Sequence, residues 1–220
     1  MKLKKHHKMV VAADGSAASG KTTGAKRISK KYGLKFLSSG LLYRYVSYLL
    51  IKNKPKNKST FLKKEFNKLN LRKLDKINLH TPKISEYTSL IAKQKKIRNI
   101  LKTFQKNFAR KYKKVCIEGR DIGTVILPKA DIKFFFICSL DIASKRRFNE
   151  LKKIDTKIRL KDIKKSLKIR NYRDKSRKNS PLLKSSDGII VDTGKLKNIT
   201  GMVNKMSDIL EKKIKDKYGS

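Results

Sequence analysis

Eight consecutive residues, Gly15-Ser16-Ala17-Ala18-Ser19-Gly20-Lys21-Thr22, fit the phosphate-binding pattern G-x-x-x-x-G-K-[ST] without a mismatch. The chemistry is that of a nucleotide-phosphate cradle. Gly15 and Gly20 let the backbone wrap closely around phosphate oxygens, and successive N–H groups with a helix N-terminus supply positive potential. Lys21 is placed to reach the β- and γ-phosphates. Thr22 offers a hydroxyl to Mg²⁺, and Thr23 extends the same turn. Asp14, just before the loop, has two readings: a magnesium ligand acting through water, or a cap that accepts backbone N–H bonds of the loop.

Three further clusters carry groups suited to phosphates and bases. Ser38-Ser39-Gly40-Leu41-Leu42-Tyr43-Arg44 follows a short apolar run. Arg44 could pair with an acceptor phosphate or stay wet at a helix start, and Tyr43 could pack on substrate or on its own lobe. Glu118-Gly119-Arg120-Asp121-Ile122-Gly123-Thr124 joins acids, an arginine and turn-forming glycines. Arg120 is a phosphate candidate. Asp121 could accept a bond from the exocyclic amino group of a base, or could serve an internal Arg–Asp ion pair. Arg170 to Arg177 places arginines where the chain otherwise favours lysine, which points to fixed fork geometry against phosphates.

These clusters need a scaffold. Met9-Val10-Val11-Ala12-Ala13 reads as a strand over about 9–14, and Ala25, Ile28 and Tyr32 give a helix over about 21–32. Further strands are expected near 34–37, 115–117, 132–137 and 189–191. Helices are expected at 41–51, as one long helix over 86–111, and at 141–151, 160–172 and 199–210. Residues 70–79 suit an irregular stretch or a short hairpin, and the tail from Lys212 suits a frayed or exposed end. Strands alternating with helices imply an α/β fold with a five-stranded parallel sheet covered by helices. The whole of 1–220 fits one domain. Residues 53–97 suit a mobile lobe, and the basic stretch 148–170, entered through Arg146 and Arg147, suits a lid over ATP or simply a solvated helix face.

Composition narrows the field. The formal charge is +42, from 59 basic residues against 17 acidic. Of the basic residues 47 are lysines spread over nearly every helix face, so the charge reads as a compositional bias with incidental, salt-sensitive attraction to nucleic acid. No run approaches the roughly 18 apolar residues of a membrane span. Cleavage of the basic N-terminal stretch as a signal peptide would remove the phosphate loop's strand, so a cytoplasmic location is expected. Cys116 and Cys138 sit in apolar runs as small hydrophobes, and three histidines do not support a zinc site.

Taken together, the phosphate loop, Ser39-Gly40 with Tyr43-Arg44, Thr81 to Ser85 with Ser89, Ile97-Arg98 with Gln105, Gly119 to Val125, Arg146-Arg147, Arg170 to Leu183 and Val191-Asp192-Thr193 resemble the bacterial cytidylate kinases over about 9–210. The resemblance implies a P-loop kinase fold with an NMP-binding lobe and a lid. It implies transfer of a phosphoryl group from ATP, with Mg²⁺, to CMP or dCMP by a monomer. By it, Ser89, Arg98 and Asp121 would recognise cytosine. Arg44, Arg120 and Arg177 would hold the acceptor phosphate, with Ser39 and Tyr43 beside it. Arg170 and Asp174 would meet the ribose or organise phosphate contacts. The chain departs from the family at several positions. Ser38-Ser39-Gly40 replaces Asp-Thr-Gly or Asp-Ser-Gly. Ala18 replaces a loop glycine, which implies a backbone angle there that does not depend on glycine. Ala143 and Lys106 stand where arginines are common, and the β-rich insertion is much reduced between about 53 and 80. The competing readings are a broader nucleoside monophosphate kinase and an RNA-associated P-loop ATPase.

Overall fold

The computed structural model describes residues 3–153, 155–196 and 198–219. Its elements run β1 (Met9–Gly15), α1 (Lys21–Tyr32), β2 (Lys35–Ser38), α2 (Ser39–Asn53), α3 (Lys58–Asn67), α4 (Pro82–Ile91), α5 (Lys95–Lys111), β3 (Lys114–Gly119), β4 (Ile132–Ile137), α6 (Leu140–Lys152), α7 (Leu160–Ser176), β5 (Ile189–Asp192) and α8 (Ile199–Tyr218). The strands form one parallel five-stranded sheet in the order β2-β3-β1-β4-β5. The chain divides into two compact units, Met1–Leu37 with Tyr112–Ser220, and Ser38–Lys111. The span 53–97 falls inside the second.

In the first unit β1 is the central strand. Val11, Ala12 and Ala13 are all fully buried, so both faces of the strand are covered and its side chains are apolar without alternation. One face carries α1 and α8, whose Ala25, Ile28, Met202, Met206 and Leu210 close over Val11, Phe134 and Phe136. Gly24 is required there by a close approach. A Cβ on it would lie 2.9 Å from the Phe136 ring and 3.1 Å from the Met206 sulfur. The two methionines are packing residues, as their spacing suggests.

From Ser39 on, the regular elements of the second unit are all helical. Side-chain caps start each of its first elements: Ser38 accepts the Leu41 N–H, Asn57 that of Thr60, and Thr81 that of Ile84, with Pro82 at the first helical position. Helix α2 packs on α4 and α5, and α3 packs on α5. A buried bond of 2.8 Å joins the Ser47 and Thr88 hydroxyls across α2 and α4.

Three sequence expectations change. The single helix over 86–111 is two, because the chain turns at Ala92-Lys93-Gln94 and Arg98 donates to the Ala92 carbonyl at 3.1 Å. Residues 70–79 form neither a hairpin nor a wholly irregular stretch. Leu71–Lys76 is a 3₁₀ turn that buries Leu74. The tail from Lys212 is exposed at Lys212, Lys215, Asp216 and Lys217 but not frayed: α8 continues to Tyr218 and Ile214 is fully buried. No described helix is long and apolar enough to cross a membrane.

Candidate active site

The strand register brings the chemistry together in the first unit. Asp14 is level with Gly119, Gly15 with Phe136, and Ile137 with Asp192. The loops that leave β1, β3, β4 and β5 therefore share the carboxyl end of the sheet, where open α/β sheets bind ligands.

The phosphate loop connects β1 to α1. Gly15 has φ +154°, and Gly20, at the start of α1, has φ +80°. Ser19 donates to the Ser16 carbonyl at 3.0 Å, and the Thr193 hydroxyl donates to the Ser19 carbonyl at 3.0 Å. Arg146 grips Thr193 twice, at its Oγ1 (2.8 Å) and its carbonyl (2.9 Å). Ala18 corrects the sequence reading. It lies at φ +55°, in the left-handed region, which costs a residue with a Cβ about 1–2 kcal/mol. The position does depend on glycine-like geometry, and the chain adopts it with alanine. Ser16 is half-buried, Ala17 buried and Thr23 exposed.

Lys21 is buried, with its Nζ 3.6 Å from Glu118 Oε2. Burial, reinforced by Arg120, pushes its ammonium from 10.5 down to about 8, against the pull of Glu118. Asp14 does not cap its own loop. Its two oxygens accept the N–H groups of Ile122 (2.8 Å) and Gly123 (2.7 Å), so it ties β1 to the π turn Ile122–Ile126 and not to its own loop. Burial raises its carboxyl to about 6, and the two N–H bonds oppose that rise.

Beside the loop lies a ring of alternating charge. Arg120 Nε donates to Asp174 Oδ2 at 2.8 Å. Arg177 lies 3.6 Å from Asp174 and 3.8 Å from Asp121, and its Nε donates to the Ser180 carbonyl. Burial alone would raise the Asp174 carboxyl, but Arg120, Arg170 and Arg177 hold it below the usual carboxylate range. Asp121 thus has an ion-pair partner in Arg177. Such a paired set is preorganised: a dianion entering it meets cations already fixed in place.

In the second unit, Arg44 is buried and donates to the Leu79 carbonyl (3.0 Å) and the Ser85 hydroxyl (2.7 Å), so it is not a wet helix-start arginine. The Arg98 guanidinium lies 5.8 Å over the Tyr43 ring. Ser39 is buried at the start of α2, and Ser89 is half-buried on α4. The reduced insertion shows as α3 and the 3₁₀ turn, with no strand among the described residues. On the lid stretch, Lys161, Lys164, Lys165 and Lys168 are exposed, as a solvated helix face requires.

The donor set suits a magnesium ion that arrives with phosphates. No described cluster of three or more His, Cys, Asp or Glu side chains is arranged to hold a metal, and the Asp14 oxygens already accept backbone bonds. Thr22, half-buried at the first turn of α1, supplies one hydroxyl, and Mg²⁺ readily takes its other ligands from phosphate and water. Sequence reasoning did not single out Asn171 or the grip of Arg146 on Thr193. An asparagine amid arginines carries no pattern, and the partner of Arg146 is 47 residues away.

Comparison with known proteins agrees with this geometry. The family model described as cytidylate kinase matches residues 11–212. The chain is 36% identical over 218 residues to a cytidylate kinase of Clostridium tetani, covering 94% of this chain and 96% of that one. It is 38% identical over 193 residues to one of Bartonella tribocorum, covering 85% and 87%. Among solved structures, an uncharacterized protein from Eubacterium ventriosum shares the fold, with a TM-score of 0.52 at 16% identity over 92% of this chain and 98% of that one. The chain belongs to the cytidylate kinase family of P-loop nucleoside monophosphate kinases.

Proposed function

We propose that the protein transfers the γ-phosphoryl group of ATP to CMP or dCMP, giving ADP and CDP or dCDP. The observation that carries this reading is the ion-paired Arg120–Asp174–Arg177–Asp121 set beside the phosphate loop, buried at all but Arg120. It offers fixed cations for an acceptor phosphate and a carboxylate for a base amino group. In the reaction, an oxygen of the acceptor phosphate bonds to the γ-phosphorus while the bond to the β–γ bridging oxygen breaks. That nucleophile is already anionic, so no general base is assigned.

The loop residues Gly15 to Thr23 bind the donor phosphates. Lys21 stabilises the charge that spreads over the transferring oxygens, and Arg44, Arg120 and Arg177 hold the acceptor phosphate. Ser89, Arg98 and Asp121 read cytosine, with Ser39 and Tyr43 alongside, and Arg170 and Asp174 meet the ribose. The Thr22 hydroxyl would help hold Mg²⁺, which would supply charge neutralisation to the phosphates when bound. Asp14 supports the site through the 122–123 backbone and through water near the ion. The protein works as a monomer in the cytoplasm, and its lysines attract nucleic acid weakly and in a salt-dependent way.

The test is formation of ADP and nucleoside diphosphate with CMP, dCMP, UMP, AMP and GMP, beside a control without acceptor. CMP and dCMP are expected to dominate. Equal activity with UMP would make this a broader pyrimidine kinase, and hydrolysis without an acceptor would make it an ATPase. Asp121→Asn is expected to reduce the CMP-over-UMP preference by about 1–3 kcal/mol, roughly 5- to 150-fold, because a carboxylate accepts from the cytosine amino group where an amide can turn a donor toward it. An unchanged preference would remove Asp121 from base recognition.

A further inference from the structure

The outer shoulder of the phosphate loop is seated on α6 and α7, the two helices that run into the lid stretch. From α7, the Asn171 Oδ1 accepts the Ala17 N–H at 3.2 Å. Next to this bond Ala17, Ala143 and Leu167 are buried together, with Ala18, Leu140 and Ile163 packed against them. The inner shoulder is tied separately, through Thr193 to the Ser19 carbonyl. Ala18 lies between these two ties in the left-handed conformation, at φ +55°. A residue with a Cβ relaxes out of that region unless its surroundings hold it there. Relaxation would turn the N–H groups from Ala18 to Gly20 away from a common phosphate.

We propose that Asn171 is a positioning residue for the phosphate loop: its bond to Ala17, with the apolar seat beside it, holds Ala18 in the turn that donor binding requires. The inference rests on the reading of the loop as the donor site. Asn171 acts on the nucleotide only through loop geometry. The contact also couples α7 to the loop, so a helix that forms part of the lid stretch sets the donor affinity.

The test is a double-mutant cycle on the full chain, read as the Kd for ADP with Mg²⁺ by titration calorimetry. Asn171→Ala is expected to weaken binding roughly 5- to 10-fold, the lower part of what a left-handed alanine costs. In an Ala18→Gly background the same change is expected to cost less than about twofold, because glycine takes the turn unaided. A merely structural role would give the same loss in both backgrounds, and that result, or no loss in either, overturns the proposal. Circular dichroism melts establish that each variant is folded. Should Asn171→Ala not fold, Leu167→Ala probes the apolar half of the seat by the same cycle, with the same expected and overturning patterns. Lys21→Ala separates the donor-site reading from the positioning role of Asn171. If it binds ADP as the parent does, the donor-site reading fails and the proposal falls with it. If it loses binding while Asn171→Ala does not, the positioning role alone fails.

Discussion

Lys21→Ala should lower kcat for phosphoryl transfer by about a thousandfold or more, the scale expected when a preorganised charge on the transferring group is removed. The fold should survive, since Lys21 is held by a single ion pair with Glu118 at 3.6 Å and lies outside the main apolar core. The same lysine makes a pH prediction. Burial depresses it from 10.5 to about 8, so the folded protein gives up a proton that the unfolded chain keeps between those values. Charged Lys21 therefore costs the free protein about 3 kcal/mol below pH 8, and that cost fades as the pH rises from 8 towards 10.5. Donor phosphates favour the ammonium and draw the proton back. Calorimetry of MgATP binding in buffers of different ionisation enthalpy should show more proton uptake at pH 8.5 than at pH 6.5. Equal uptake at both would mean that the lysine is fully charged before nucleotide arrives.

Gly15→Ala should be the most damaging single methyl in the loop. A Cβ there would lie 2.4 Å from the Phe136 carbonyl oxygen and 2.8 Å from the Phe136 Cβ, with φ at +154°. The obstacle is the backbone of the neighbouring strand at the register position Gly15↔Phe136, so relief means prising β1 from β4. A loss of about 3 kcal/mol is expected, near the upper end for overpacking, which lowers Tm by roughly 6–12 °C in a chain of this size. Gly33→Ala is the comparison. Gly33 has φ +65° but nothing within 4 Å of a Cβ, so it should lose only about 1 kcal/mol of backbone strain. Equal losses at the two positions, measured by scanning calorimetry, would show that close approach is not what reserves position 15 for glycine.

Much of this architecture was legible where one local signal sufficed. The phosphate loop was, because its glycines, lysine and threonine sit at fixed spacing between an apolar run and a helical stripe. The continuously apolar strands β1 and β4 were, because full burial removes alternation. What stayed hidden depends on partners distant in sequence. The break after α4 contains alanine, lysine and glutamine, all good helix formers, and is fixed by Arg98 capping the Ala92 carbonyl. The end of α8 carries Leu210, Ile214 and Tyr218 at four-residue spacing, a core stripe masked by its lysines. One reading made Asp14 a cap of its own loop, but its acceptors serve N–H groups more than a hundred residues away. Asn171 holds a loop 154 residues before it. In each case the residue type was visible, and the three-dimensional neighbour that gives it a role was not.

The strand order has a consequence for synthesis. β1 is made first among the strands but pairs with β3 and β4, more than a hundred residues later, as in Met9↔Lys114 and Val11↔Ile132. Residues Ser38–Lys111 form a compact unit, continuous in sequence and built mainly of helices, that leaves the ribosome before either partner strand. That unit can begin to fold on local contacts while the apolar segment Met9–Ala13 still waits for both of its neighbours. The middle of the sheet is therefore the first of its strands to be made and among the last to be covered. During that interval it is the stretch with most to gain from a chaperone.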